Sequence, residues 1–313
     1  MSEQCHDRRV MATWVGWPLL AMLSMMPLAA AARQGPTAMA TDAAKLSSRV
    51  VAPLPKLEDF RWRGTAQQGG VVQGYRPASV AALWLGDIAI SVADDGQFLM
   101  AFDRDAPSMM KLTVRMKDGR EHQLAMPVSA GKWRIEHVNA PMRGAAASSA
   151  EFTRRRPAEL AQIQEARAQE VVSDGWRQIF QWPVTGRFSG FFGAQRIYQG
   201  VAGSYHSGTD VAVAAGTPFV APADGVVVLA AASPFTLEGN LLIISHGMGL
   251  SSGFLHCQRL DVKRGDIVHQ GQRLGTVGAT GRATGPHMHW GVSWRGQRLN
   301  PGDFVERRVS GGA

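Results

Sequence analysis

Between Trp62 and about Val138 the chain is cut into short pieces by turn-forming residues. Asp94-Asp95-Gly96, Asp105-Ala106-Pro107 and Lys117-Asp118-Gly119 stand among the runs VAALWLG, DIAISVA, QFLMAF, MKLTVRM, HQLAMPV and WRIEHV. Apolar and polar residues alternate in these runs, which is the period of a strand with one face turned to a core. Six or seven short antiparallel strands at this spacing predict a small immunoglobulin-like β-sandwich over residues 61–141. The 35 glycines and 16 prolines carry the same strand-and-turn rhythm into the rest of the 313 residues, so the chain is expected to be mostly β. That length suffices for about two domains.

The flanking segments read differently. Arg8 and Arg9 precede an uncharged stretch from Val10 to Ala32 that ends in four alanines, the layout of a secretory signal. The same stretch is long enough to span a bilayer if left uncleaved, so 1–32 is expected to be a signal peptide or an N-terminal anchor. Residues 33–60, rich in Ala, Ser, Thr and Pro, read as a linker. Residues 142–180 contain PAELAQIQEARAQEVV, good helix formers with Pro157 at a plausible first turn, and predict a linker helix. Arg154-Arg155-Arg156 before it is expected to be solvated. From Trp182, glycines recur and strands return until about Val305, leaving 307–313 as a tail. Only Cys5 and Cys257 are present; Cys5 would leave with a cleaved signal, so no disulfide is expected. The net charge of +8 comes without a zinc finger, an aromatic-laced basic patch or a basic helix, which argues against nucleic acid and leaves other polyanions as partners.

Six of the nine histidines lie between residues 206 and 289. In YHSGTDVAV, His206 and Asp210 are four apart, but Gly208, Thr209, Val211 and Val213 oppose a helix, and a turn leading into a strand can aim both at one point. In GPHMHWGV, His287 and His289 share one face of a strand while Met288 and Trp290 share the other. Two imidazoles on one face are costly to bury without partners. A catalytic zinc site uses three protein ligands and leaves a fourth position for water. His206, Asp210 and one of the pair 287/289 would supply that set, leaving the other member and His256 free to handle protons. Cys257 adjoins His256, but neighbours on a strand face opposite sides, which disfavours a Cys/His nucleophile. His246, His269, His122 and His137 are expected to be structural or surface residues.

The order H-x3-D, a lone His after an apolar strand, then G-P-H-x-H resembles the lysostaphin/LytM-type zinc endopeptidases that cut peptidoglycan peptides. The resemblance runs from about Phe188 to Val305. It includes Phe192-Gly193 with Arg196, Gly216-Thr217-Pro218, Ala223-Asp224-Gly225-Val226-Val227, Gly265-Asp266, Gly271-Gln272, Gly278 and Thr280-Gly281. A looser resemblance extends over the sandwich and helix to exported bacterial members. It implies an antiparallel β-roll as the metallopeptidase domain over 181–306, with one Zn2+ per chain on His206, Asp210 and His289. His256 and His287 take the places of the catalytic histidines. Met288 and Cys257-Gln258 depart from the common pattern without removing a ligand or proton handler.

The implied substrate is a peptide cross-link of peptidoglycan, with a D-alanyl–diaminopimelate bond expected, and the implied location is the periplasm of a Gram-negative bacterium. A membrane would be a partner only through an uncleaved N-terminus, and no motif identifies a regulatory protein partner. Arg196 is expected either to pair with a carboxylate of the fold or to meet one on the substrate. Two other readings fit parts of the sequence. A non-catalytic LytM-like protein that binds peptidoglycan or activates a hydrolase would keep the fold but lose ligands. A lipoyl or biotinyl carrier shares the rhythm of DVKRGDIVHQGQRLGTVG but needs a presented lysine, which is missing near this stretch. The N-terminal region carries no chemistry of its own and is expected to be a spacer or wall-binding module, or else to pack across the groove lined by His206 and His287.

Overall fold

The structure, a computed structural model, describes residues 53–141, 150–231 and 233–305. The expected signal or anchor, most of the 33–60 linker, Cys5 and the 307–313 tail lie outside the described residues. Strand makes up 43% and helix 12%, so the protein is mostly β. Among the described residues no helix is long and apolar enough to cross a membrane.

Two sheets form the N-terminal part. β1 (Arg61–Gly64), β2 (Val71–Tyr75) and β5 (Gln97–Ala101) make one; β3 (Val80–Leu85), β4 (Ile88–Ile90), β6 (Met109–Met116) and β7 (Glu121–Pro127) make the other, in the order β4–β3–β6–β7. The alternation seen in sequence is what they bury. Leu112, Val114 and Met116 of β6 turn inward with Val80, Leu83 and Leu85 of β3, against Phe98 to Ala101.

The run WRIEHV does not join either sheet. Its strand β8 (Ile135–Val138) pairs in parallel with β10 (Gln195–Tyr198), placing Glu136 opposite Arg196. No residue of β8 is buried. IEHV offers neither face a continuous apolar row, and such a strand can serve only at an edge.

The helix α1 (Ala150–Ala168) starts earlier than expected and carries Pro157 in its interior rather than in its first turn. Glu159, Ile163 and Ala166, one stripe at helical spacing, are buried, the last two against Val228, Leu241 and Ile243. The arginine run before Pro157 is not wholly solvated either. Arg156 forks onto Glu238 at 2.6 and 2.8 Å, and Arg155 donates to the Pro234 carbonyl at 2.5 Å.

The remaining strands are β9 (Arg187–Gly190), β11 (Val201–Ala202), β12 (Thr209–Ala212), β13 (Pro218–Val220), β14 (Gly225–Ala230), β15 (Asn240–Gly247) and β16 (Leu250–Cys257). They continue with β17 (Arg259–Leu260), β18 (Ile267–Val268), β19 (Arg273–Thr276), β20 (Met288–Trp294) and β21 (Gln297–Leu299), before the short α2 (Gly302–Val305). An eight-stranded sheet runs β18–β14–β15–β16–β20–β12–β9 with β21 on β20, and β13–β19–β17 form a small companion sheet. One apolar cluster extends from Phe60 and Val72 through Trp176 and Phe180 to Trp290 and Trp294, so both parts of the molecule share a contiguous core.

Candidate metal centre and catalytic site

Antiparallel pairing sets the site in a row across the sheet. Asp210 of β12 stands opposite His289 of β20, which in turn stands opposite Leu255 of β16. With a period of two, His287 and His289 share this face, and Trp290 points to the other side into the core. His206 arrives from the turn before β12, as the oppositions to helix in YHSGTDVAV require, and His256 from the end of β16.

Two glycines make room. A Cβ on Gly190, paired with Asp210 from β9, would lie 2.3 Å from Asp210 Oδ2, and one on Gly208 would lie 2.6 Å from His289 Nε2.

All five expected residues come together. His206 Nε2 lies 3.1 Å from Asp210 Oδ1 and 3.1 Å from His289 Nδ1, and His289 Nδ1 lies 2.8 Å from the same carboxylate oxygen. His287 Nε2 is 3.9 Å from that oxygen, and the His256 ring centre is 4.9 Å from that of His287. The other nitrogens are held by backbone carbonyls. His206 Nδ1–H donates to Phe191 at 3.1 Å, His256 Nδ1–H to Thr280 at 2.8 Å and His287 Nδ1–H to Gly285 at 2.8 Å. Each of these rings is thereby fixed with a lone pair on Nε2.

The donor set fits a zinc ion. With Nδ1–H of His206 committed to Phe191, its Nε2 turns to the same point as His289 Nδ1 and Asp210 Oδ1, and in the deprotonated forms that bind a metal all three present lone pairs there, which repel unless a cation lies among them. Ligand atoms about 2.0–2.1 Å from a tetrahedral ion stand roughly 3.3 Å apart, close to the spacing found. Among the described residues, His206, Asp210 and His289 also form a three-residue group whose ligand atoms all fall within 4.8 Å of one another.

Charge follows burial and contact. Burial alone would raise the Asp210 carboxyl, but hydrogen bonds to His206 and His289 outweigh it and hold the group well below the usual carboxylate range. The two imidazoles at this carboxylate move in opposite directions. At His206, 26% exposed, burial opposes the shift but the Asp210 contacts win and raise it. At His289, 9% exposed, burial wins and lowers it. Burial also lowers His256, against the Thr280 carbonyl, so its ring is neutral near pH 7.

Among the described residues, His256 is one of four non-glycine positions with positive φ, at 62°. His is among the types that tolerate this region, yet the conformation is uncommon and here is fixed by a bond from its N–H to the Glu238 carbonyl at 2.8 Å. Cys257 beside it faces the core, fully buried, with its thiol pushed up to about 12 by that burial. A thiolate nucleophile is therefore unavailable. Arg196 is largely exposed and donates from Nε to Glu136 at 2.7 Å. His269 and His137 are exposed, and His246 is buried on the opposite face of the sheet. The carbonyls of Phe191, Thr280 and Gly285, and the roles of Gly190, Gly208 and Glu238, have no side-chain signature that spacing could have exposed.

Comparison with known proteins agrees with this geometry. Residues 204–301 match Peptidase family M23. Peptidoglycan DD-endopeptidase ShyA of Vibrio cholerae is 43% identical over 95 residues, covering 30% of this chain and 22% of the relative. ShyC of the same organism is 41% identical over 117 residues, covering 37% and 26%. The chain thus spans about a quarter of the length of these curated relatives. A solved structure of a Pseudomonas aeruginosa protein assigned to peptidase M23 superposes with a TM-score of 0.60 at 29% identity, covering 77% of this chain and 95% of that one. That share is larger than residues 204–301 can fill, so the likeness in fold reaches into the N-terminal β region. Residues 204–301 are therefore a peptidase M23 domain of the LytM/lysostaphin type.

Proposed function

We propose that the protein is an exported zinc metalloendopeptidase that hydrolyses peptide cross-links of bacterial peptidoglycan, in the periplasm, with one Zn2+ per chain on His206, Asp210 and His289. The observation that carries this reading is the convergence of three potential ligand atoms, His206 Nε2, Asp210 Oδ1 and His289 Nδ1, beside two further imidazoles whose Nδ1–H groups are held by backbone carbonyls. When bound, zinc supplies Lewis acidity, polarising the scissile carbonyl and making water nucleophilic near neutral pH.

The rest belongs to the chain. The His256 and His287 rings, pinned through Nδ1–H to backbone carbonyls, hold Nε2 ready to take the proton from the attacking water and return one to the departing amine. The balance is that of amide hydrolysis: the carbonyl carbon gains hydroxyl, the C–N bond breaks, and the nitrogen gains hydrogen. When protonated, the same Nε2–H groups can donate to the tetrahedral oxyanion. No HExxH glutamate is present, so the imidazoles are the available proton handlers.

The names of the relatives ShyA and ShyC support a DD-endopeptidase, and we take the D-alanyl–diaminopimelate bond as the one cut. The formal charge of +8 suits attraction to a polyanionic wall. A binding-only relative would have no use for all five positions, which weighs against the non-catalytic reading. Incubating the zinc-loaded full-length protein with cross-linked muropeptides and identifying products by mass spectrometry tests the proposal. Conversion of dimers to monomers with one water added is expected; intact dimers after prolonged incubation would overturn it.

A further inference from the structure

We infer that Arg104, in the N-terminal β region, is a positioning residue for the metal ligand His206, acting through the turn Phe191–Ala194; this rests on the metal-site reading above. The turn holds His206 three ways. The Phe191 carbonyl accepts from its ring, the Gly193 N–H donates to its carbonyl at 2.8 Å, and its own N–H donates to Ala194 at 2.8 Å.

What holds the turn comes from outside residues 204–301. The Arg104 side chain, 9% exposed, donates from Nη2 to the Gly193 carbonyl at 3.1 Å and to Gln195 Oε1 at 2.9 Å, with Nη1 on Asp105. Gln195 carries the hold onward, donating to the Gly203 carbonyl at 2.7 Å. The same guanidinium lies 4.9 Å from the ring of Tyr205, the residue before His206, and 5.5 Å from Trp133. Trp133 packs edge-on to Phe192 and flat on Gly193, whose φ is 76° and where a Cβ would come within 2.2 Å of the indole. Arg134 lies over the Phe191 ring, 3.4 Å from its centre.

A buried, forked cation that satisfies a carbonyl in the turn fixes where that turn sits more firmly than a neutral contact would. Outer contacts of this kind set a ligand's ring orientation and tune metal affinity. Other contacts across the same junction do not touch the turn: Gln73 Nε2 donates to the Trp176 carbonyl at 2.5 Å, and Arg177 pairs with Asp95 at 2.8 Å. They provide the control.

The test uses the full chain, stripped of metal and titrated with Zn2+ against a chromophoric chelator, with Co2+ visible absorption as the second readout. Arg104→Met keeps the stem and removes the fork. Its zinc dissociation constant is expected to rise about 10-fold and its Co2+ bands to shift. Gln73→Ala loosens the same junction and is expected to keep wild-type affinity and spectrum. If Arg104→Met does not fold, Trp133→Leu decides, with the same change expected. Wild-type affinity and spectrum in the deciding variant would overturn the inference, as would equal weakening in Gln73→Ala. A wild-type chain that takes up neither metal would overturn the metal-site reading itself, and the inference with it.

Discussion

Four imidazoles crowd one face of the eight-stranded sheet, and a fifth, His246, lies on the other. Both groups are largely withdrawn from water, yet they are solved differently. His246 Nδ1–H donates to the Asp224 carbonyl at 2.7 Å, and its Nε2 accepts from Ser252, whose Oγ in turn accepts from Trp290 Nε1 at 3.1 Å. Every polar atom of that chain finds a protein partner, and burial drives the ring's pKa down to about 4, so it is neutral. Across the sheet, His206 and His289 turn nitrogens toward each other and toward one carboxylate oxygen. An imidazole with its own separate partners is structure; ligand atoms of three side chains converging on one point call for a cation. Residue type does not separate these cases, but convergence on a shared point does.

The most severe break is to remove a ligand from the open face. His206→Ala, Asp210→Ala and His289→Ala are each expected to lose zinc, from about one per chain in the wild type, and to lose activity with it. Metal analysis after dialysis reads the result directly. Full zinc occupancy in Asp210→Ala would remove that carboxylate from the ligand set.

Removing a proton handler instead should leave the metal. His256→Ala and His287→Ala are expected to hold zinc and to slow cleavage on the order of 10²-fold or more. Cys257→Ser is expected to stay active, since the thiol is buried among core residues behind the strand. A dead Cys257→Ser beside a working His256→Ala would reverse the assignment of chemistry to the imidazole face.

The clustering of His206, Asp210 and His289 could be read from spacing and resemblance because each is a distinctive side chain at a fixed offset: H-x3-D leading into a strand, and H-x-H with a period of two. The strand-rich fold was legible for a similar reason, as in β6, where alternation is also the burial pattern. What spacing could not show was where pieces with no apolar face would go. IEHV left the sandwich for an edge beside Gln195, and the arginine run before Pro157 docked on Glu238. Their partners are carboxylates and open strand edges far away in sequence, and no local period encodes such a contact. The carbonyls that orient His206, His256 and His287 are equally silent, because any residue type carries one.

The closed face makes its own prediction, in pH. A histidine whose folded pKa is about 4 against 6.5 when unfolded binds its proton more readily unfolded. Its contribution is therefore complete above pH 6.5 and is lost as pH falls toward 4. At pH 5 the loss is about 2 kcal/mol of unfolding free energy. Denaturant unfolding between pH 8 and 5 should show this part of the acid loss in the wild type and not in His246→Gln. An identical pH dependence in both would mean that His246 is not the group that titrates.

The smallest expected effect tests whether the helix is only a connector. Arg156 forks onto Glu238, and Glu159, nearly fully buried, accepts from the Thr236 N–H at 2.8 Å and from its hydroxyl at 2.6 Å. That loop presents the Glu238 carbonyl to the His256 N–H and so fixes the one proton handler with positive φ. Arg156→Met is expected to lower kcat about 10-fold at unchanged zinc content, since a general base slightly misplaced loses part of its 10²–10⁴-fold contribution. The same variant strands a buried carboxylate and loses stability, so rate and stability must be separated. Adding Glu238→Gln removes the stranded charge. Stability should then recover in the double variant while kcat stays low, because the fork that aims the loop is still missing. Recovery of both together would make the ion pair a matter of folding alone and leave His256 positioned by its own strand.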